Sequence, residues 1–449
     1  MARRTCQGQR PAPFDGEVFM VRFALSFALA LCLTLSQAQG RGLIRDAEIE
    51  YALRQVAQPI LQAAGLPGSV RIYVIQDDSM NAFVGNARAI FVHSGLLLRL
   101  ETSDELQAVL AHEAAHIANG HLTRRPVAAR SAATAANIGL ILGAAAAAAG
   151  GPRAGIGVAA GSASAAQRSL FAHTRAEEAS ADQSSLRYLA AAGTDPQAAA
   201  KVLQLFRGQE LLSVGRQDPY AQTHPLTRDR IRAVEGFAAA VQPRVKDRRA
   251  VDYWYARAVG KLSAFSRAPS WTLRRTRGES GEIAALRRAI AHHRKPDARR
   301  ALAGIDALIA GRPNDAFYHE LKGQFLLESR NPGAAVQSFR RAAQLAPREA
   351  LIQAGLGRAL LAAGQDRDAL RVLSTARSNA PSDPRLLRDL ATAHARAGQN
   401  GLASVAVAER YAVLGRMRDA RMQAERAAGL LPTGSSGWLR AQDILAVAR

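Results

Sequence analysis

Cysteine and aromatic side chains are scarce in this chain of 449 residues, which contains two cysteines and 5% aromatic residues. Neither Cys6 nor Cys32 has a partner at a spacing that is typical of zinc or redox sites. Any metal site in this protein must therefore take its ligands from histidine and carboxylate side chains.

Strongly apolar runs are also few. The stretch 131–152 has no charged residue and is long enough to cross a bilayer, but it consists mostly of alanine and glycine. We expect 131–166 to form a helical hairpin of small residues that packs on the protein. Contact with a membrane surface, or a role as a lid, is the alternative.

Acidic residues are outnumbered by basic ones, 37 to 59, which gives a formal net charge of +22. A surplus of this size indicates either anionic partners, such as a membrane surface, or a generally arginine-rich composition. No nucleic-acid-binding motif accompanies the charge, and the arginines are scattered. We therefore expect no nucleic-acid partner.

The first 38 residues have the features of an export signal. An apolar run at 23–35 follows a short basic start at Met20, and Ala38 provides a small residue at the cleavage site. Cleavage there gives a mature chain that begins at Gln39, and an uncleaved membrane anchor is the alternative. Met20 is also a candidate start, because residues 1–19 are polar and follow no pattern.

Local patterns before residue 100 predict a helix followed by a small sheet. Residues 45–64 carry apolar side chains at helical spacing and are followed by Gly65. Alternation at 70–74 predicts a strand, and 81–92 predicts a hairpin that turns near Gly85. In an endopeptidase, an exposed edge of such a sheet can hold substrate as an added strand, whereas an ordinary core strand is the alternative.

The stretch 110–121, LAHEAAHIANGH, is the most informative part of the chain. On a helix, His112 and His116 leave the same face one turn apart, so both can bind one Zn²⁺. Glu113 points about 100° away and can reach a water held on the metal, where a general base is needed. His121 points about 140° away from His116 if the helix continues, so we do not expect it to be a ligand. Two histidines and a glutamate at this spacing also occur by chance.

Acidic residues in 171–189 offer the missing ligand. Glu178 and Asp182 are four residues apart and share a helix face, so one can ligate metal while the other holds a ligand imidazole. A solvent-exposed acidic face is the alternative. His224 precedes Pro225 in a predicted loop, where it could contact the metal or a developing oxyanion.

Together these residues resemble the HtpX/CAAX-prenyl-protease family of gluzincin zinc metallopeptidases over roughly residues 45–240. The pattern of that family, HExxH, then (S/T)RxxExxAD, then HPxxxxRI, begins here at His112, Thr174 and His224. The resemblance implies zinc ligation by His112, His116 and Glu178, base catalysis by Glu113, support of the site by Asp182, and assistance or switching by His224. It also implies that 81–91 contains an active-site edge strand. The integral-membrane prenyl proteases are disfavoured, because they need several long apolar spans.

From residue 282 the chain is repetitive. Pro313, Pro347 and Pro381 recur every 34 residues, which is typical of tetratricopeptide repeats, and a generic helical array is the alternative. We predict a mainly α protein with four parts. These are a signal peptide at 1–38, a gluzincin α+β metallopeptidase domain with a small sheet at 39–245, a linker with connecting helices at 246–281, and an α-solenoid of repeats at 282–449.

This architecture resembles the periplasmic BepA-type proteases. The resemblance implies an exported endopeptidase with one zinc ion per chain that acts in the quality control and assembly of outer-membrane proteins. Unfolded or misassembled outer-membrane proteins would be its substrates, and the repeats would dock on the β-barrel assembly machinery. The alternative is a chaperone or assembly adaptor in which the repeats are the functional part and proteolysis is rare.

Overall fold

The structure, a computed structural model, describes residues 42–121, 174–209, 212, 216–241 and 246–448. The predicted signal peptide and the small-residue stretch 131–166 lie outside the described residues. Within the described part of the chain, no helix is both long and apolar enough to cross a membrane.

The N-terminal part combines a small sheet with several helices. Its strands are β1 Leu43–Ile44, β2 Arg71–Ile75, β3 Ala82–Asn86 and β4 Ala89–His93. Its helices are α1 Ala47–Ala63, α2 Ser94–Arg99, α3 Ser103–Ala118, α4 over 174–192, α5 Gln197–Leu205, α6 Pro219–Thr223 and α7 Arg228–Ala240. The helix, strand and hairpin predicted before residue 100 are all present.

The sheet has the strand order β1-β2-β4-β3. Strands β2 and β4 run parallel, whereas β3 pairs with β4 in the antiparallel sense of a hairpin. The alternating pattern of β2 buries Ile72 and Val74 against the core beneath the sheet. Among the described strands, β3 pairs with β4 alone and therefore forms an edge of the sheet.

Helix α3, which carries the HExxH sequence, is fixed at its start and along its length. The Thr102 hydroxyl accepts from the Glu105 N–H at 3.2 Å, as in a capping box, but the Glu105 carboxylate accepts from the Glu101 N–H rather than from that of Thr102. Farther along, the buried Gln107 side chain donates to the carbonyl of Val56 on α1 at 2.8 Å. These contacts hold α3 against α1, with the HExxH residues in the interior.

Residues 246–281 form two helices, α8 Arg249–Ser266 and α9 Pro269–Arg275. Helix α8 spans much of the predicted linker and packs against α1. Its Arg257 and Lys261 side chains are fully buried, although both are charged. This segment is therefore part of the packed interior between the N-terminal part and the repeats.

The C-terminal part is an array of antiparallel helix pairs. Its helices are α10 Glu282–Arg294, α11 Ala298–Gly311, α12 Ala316–Glu328, α13 Pro332–Leu345, α14 Ala350–Ala362, α15 Asp366–Asn379, α16 Pro384–Arg396, α17 Asn400–Val413, α18 Met417–Leu430 and α19 Ser436–Val447. Packing follows the 34-residue period. Gly323 leaves room for Phe339 exactly one repeat before Gly357 leaves room for Leu373, and a Cβ at either glycine would clash with the neighbouring side chain.

Candidate metal centre

His112 and His116 lie on one face of α3, as the i, i+4 spacing predicts. Their Nε2 atoms are 3.1 Å apart, and both rings are buried. Helix α4 places Glu178 opposite them, with Oε2 3.2 Å from Nε2 of His112 and Oε1 3.4 Å from Nε2 of His116. Three residues from two distant segments therefore direct donor atoms at one point.

His224 joins this group from the loop that follows α6. Its Nδ1 atom lies 3.0 Å from Oε2 of Glu178 and 3.2 Å from Nε2 of His112. Among the described residues, His112, His116, Glu178 and His224 form a group whose possible ligand atoms all lie within 4.8 Å of one another. The structure thus brings together all the residues that were predicted to surround the metal.

These donor atoms fit the geometry of a tetrahedral metal site. Zinc binds histidine nitrogen at about 2.0–2.1 Å, which places two tetrahedral donors about 3.3–3.4 Å apart. The donor separations between His112, His116 and Glu178 are 3.1, 3.2 and 3.4 Å. One cation at the centre of this group could therefore bind all three side chains.

The electrostatics of the buried group favour ionised carboxylates. Burial acts to raise the pKa of Glu178, but hydrogen bonds with His112 and His224 outweigh it and hold that pKa well below its usual range. Burial acts to lower the pKa of His112, but Asp182 and Glu178 outweigh it and raise the pKa to about 10. An entering cation must therefore displace a ring proton from His112.

Asp182 connects the ligand histidine to a buried arginine. Its Oδ1 atom lies 3.1 Å from Nδ1 of His112, and Arg230 donates to both of its oxygens, from Nε at 2.7 Å and from Nη2 at 2.9 Å. Arg230 also donates from Nη1 to the carbonyl of Pro225 at 2.8 Å. One guanidinium therefore fixes Asp182 and the loop of His224 together.

The role of Arg230 was missed at the level of the sequence. The residue belongs to the HPxxxxRI pattern, but the pattern does not show what an arginine does there. The available signal was general: an arginine that is buried requires carboxylate partners, and Asp182 on α4 is one.

The prediction for the direction of His121 was wrong because it assumed a continuing helix. Helix α3 ends at Ala118, and Gly120 adopts a positive φ of 69°. The chain turns back at this glycine, so that the buried His121 lies against His116, with the two Nδ1 atoms 2.9 Å apart. His121 is outside the group of converging donor atoms.

Glu113 lies next to His224, at one side of the group of converging donor atoms. Its Oε1 atom is 3.3 Å from Nε2 of His224, and the ring of Tyr220 packs on the His224 ring with centroids 4.6 Å apart. The Tyr220 N–H donates to the carbonyl of Met80 at 3.3 Å, and Met80 stands two residues before the edge strand β3. Edge strand, His224 loop and Glu113 are therefore neighbours.

The contact between Asp182 and His112 leads to a testable expectation. Replacing Asp182 with Asn removes the charge that Arg230 and His112 share, so we expect zinc affinity to fall about 10–100-fold. Competition with a chromophoric chelator measures this change. Asp229→Asn, at an exposed position beside Arg230, is the matched control. Equal zinc affinity in Asp182→Asn and the wild type would show that the contact does not support the ligand.

Comparison with known proteins finds two family matches in this chain. The profile of Peptidase family M48 matches residues 45–238, and that of the Tetratricopeptide repeat matches residues 326–390. These matches confirm the predicted fold class, a metallopeptidase domain with a small sheet followed by a helical repeat array.

Two of the similar proteins match most of this chain, and a third matches a shorter part of it. The "Beta-barrel assembly-enhancing protease" of Yersinia pestis is 26% identical over 78% of this chain and 72% of its own length. The protein of that name from Escherichia coli K12 is 25% identical over 81% of this chain and 74% of its own length. A "Protease HtpX homolog" from Desulfotalea psychrophila is 41% identical over 17% of this chain and 28% of its own length.

Proposed function

We propose that this chain, which carries an M48 peptidase domain followed by tetratricopeptide repeats, is a zinc-dependent endopeptidase of the bacterial periplasm. It would act in the quality control and assembly of outer-membrane proteins. The observation that carries the proposal is the convergence of His112, His116 and Glu178 on one buried point. The names of the full-length relatives favour a protease over the adaptor interpretation.

His112, His116 and Glu178 are the residues that would hold the metal. Zinc bound there would supply Lewis-acid chemistry, which polarises a scissile carbonyl and makes a water molecule more acidic. Asp182 and Arg230 keep the His112 ring in place, because Asp182 meets its Nδ1 atom while Nε2 faces the donor group.

Glu113 is the proposed general base. Glu113 belongs to the same helix as the two histidines, but its side chain leaves the helix beside the face that they share. The side chain is buried. A carboxylate in that position can take the proton from the attacking water and return it to the leaving amine. Peptide hydrolysis needs both transfers, because an amine leaves only after protonation.

His224 is proposed to control access to the site. Its Nδ1 atom lies among the donor atoms and its Nε2 atom lies beside Glu113, so the ring stands between the ligands and the base. A fourth protein donor in that place occludes the position that water or substrate requires. Movement of this ring away from Glu113 would open the site, and the ring can then assist at the developing oxyanion.

Substrate is expected to enter as an extended segment. Strand β3 is an edge of the sheet close to Glu113 and His224, and an edge strand can pair with any unfolded chain through backbone hydrogen bonds. Unfolded or misassembled outer-membrane proteins are suitable substrates, because their β-strands are unpaired. The repeats offer a surface for docking on the β-barrel assembly machinery.

Removal of the metal provides the direct test. We expect a chelator to reduce cleavage of an unfolded outer-membrane protein to the background rate, and added Zn²⁺ to restore it, because the donor set cannot activate water without the ion. Gel analysis of cleavage products over time measures the rate. The same chelator applied to a metal-independent protease is the control. Cleavage that continues unchanged in the chelator would contradict the proposal.

A further inference from the structure

We propose that His121 is a positioning residue that accepts a hydrogen bond from His116 and so directs the second ligand imidazole at the metal. This inference rests on the proposed metallopeptidase function. It concerns a residue that lies outside the converging donor group but is buried beside it. The contact joins Nδ1 of His121 to Nδ1 of His116 at 2.9 Å.

The turn that brings His121 into place is fixed from two sides. Gly120, with its φ of 69°, ends α3 in a left-handed backbone conformation that residues with a Cβ rarely adopt. Asn119 donates from Nδ2 to the Ser180 hydroxyl at 3.1 Å and contacts the Ser184 hydroxyl at 3.3 Å. Since both serines lie on α4, the turn is tied to the helix that carries Glu178.

The protons on the two rings follow from this geometry. Nε2 of His116 faces Glu178 and His112, so its lone pair must be available for a metal. A neutral imidazole has one ring proton, which must then lie on Nδ1 of His116. With a metal on Nε2 of His116, that N–H would meet Nδ1 of His121 at 2.9 Å, and His121 would then accept it and carry its own ring proton on Nε2.

The two ligand histidines are thus oriented by different acceptors. Asp182, a carboxylate, meets Nδ1 of His112, whereas an imidazole, that of His121, meets Nδ1 of His116. The site already contains the carboxylates of Glu113, Glu178 and Asp182. An imidazole at position 121 can fix the ring of His116 without adding another buried negative charge.

Two substitutions distinguish the effect of the hydrogen-bond acceptor at position 121 from the effect of the side chain's shape. His121→Phe keeps a ring but removes the nitrogen, and we expect zinc affinity to fall about 10–100-fold. In His121→Asn, Oδ1 can take the place of Nδ1 as acceptor, and we expect most of the affinity to return. Competition with a chromophoric chelator measures zinc affinity on the full chain, and the visible spectrum of the Co²⁺ form reports ligand geometry.

The outcomes are distinct. Unchanged zinc affinity in His121→Phe, or an equal loss in His121→Phe and His121→Asn, overturns the inference, because a structural role alone does not depend on an acceptor. Thermal unfolding of the metal-free variants checks that each one folds. If phenylalanine is not tolerated at position 121, His121→Leu removes the acceptor with a smaller side chain. A wild type that binds no zinc would overturn the proposed function itself, whereas a tight-binding wild type and an unaffected Phe variant overturn only the role of His121.

Discussion

Replacing Glu113 with Gln is expected to lower the rate of peptide-bond hydrolysis by a factor of about 10²–10⁴, which is the usual contribution of a general acid–base group. The amide is nearly the same size as the carboxylate but cannot accept the proton of the attacking water. Glu113 is outside the group of converging ligand atoms, so the variant should bind zinc as the wild type does. Cleavage of an unfolded outer-membrane protein, measured beside zinc content, tests both parts.

A matched control distinguishes the effect of losing the carboxylate at this position from the general effect of losing one negative charge. Glu101→Gln makes the same chemical change at an exposed residue just before α3, and its cleavage rate should equal that of the wild type. If Glu113→Gln cleaves as fast as Glu101→Gln, and a chelator slows neither, the catalytic assignment fails. If Glu113→Gln loses zinc together with activity, the glutamate is a structural part of the site and not its base.

The sequence predicts the local half of the site well. The spacing of His112 and His116 fixes their common face as soon as the segment is helical, because the helical period is a short-range property. Glu178 is different, since no spacing rule relates two separate helices. Only the resemblance to a family placed it beside the histidines, and the structure brings it within 3.2 Å of His112.

Features that depend on a single turn or on distant packing were not predictable in the same way. His121 was expected to point away from His116, but one glycine with positive φ reverses its direction. Arginine and lysine side chains on a basic helix are usually exposed to solvent. Arg257 and Lys261 are nevertheless fully buried. Their partners come from segments far apart in the chain, and no local pattern indicates such pairs.

Lys261 and Arg257 form a buried charge cluster between α1, α8 and α12. The ammonium of Lys261 lies 2.9 Å from Asp46, 3.1 Å from Glu48 and 3.6 Å from Glu320. Burial acts to lower the pKa of Lys261, but these carboxylates outweigh it and raise the pKa, so the lysine is charged at neutral pH.

Arg257 completes the cluster. Its guanidinium pairs with Glu48 and, at 2.6 Å, with Asp315, and it lies over the ring of Tyr318 at 4.2 Å from the centroid. Because Asp315 and Tyr318 belong to the start of α12, this arginine bridges the N-terminal part and the repeats. Deletion of the repeats would strip it of these partners, so point variants are better tests of the array than truncation.

Replacing Lys261 with Met should therefore destabilise the protein by about 3–5 kcal/mol, because the variant leaves buried carboxylates without their cation. The methionine fills similar volume, so little of the effect should come from a cavity. Urea unfolding of the metal-free protein measures the change in the free energy of unfolding. Because the lysine bridges α1 and α12, we expect the contact between the N-terminal part and the repeats to loosen first, which proteolysis under native conditions can detect.

The control and the compensating variant decide the origin of the effect. Lys295→Met removes a lysine at an exposed position after α10, and its stability should match that of the wild type. Adding Glu48→Gln to Lys261→Met removes one of the uncompensated carboxylates, but it also deprives Arg257 of a partner, so we expect partial recovery at most. A loss below about 1 kcal/mol in Lys261→Met would contradict a buried cluster, since that is the range of an exposed ion pair. A large loss would instead establish that charge at the α1–α8–α12 junction holds the repeats on the metallopeptidase domain.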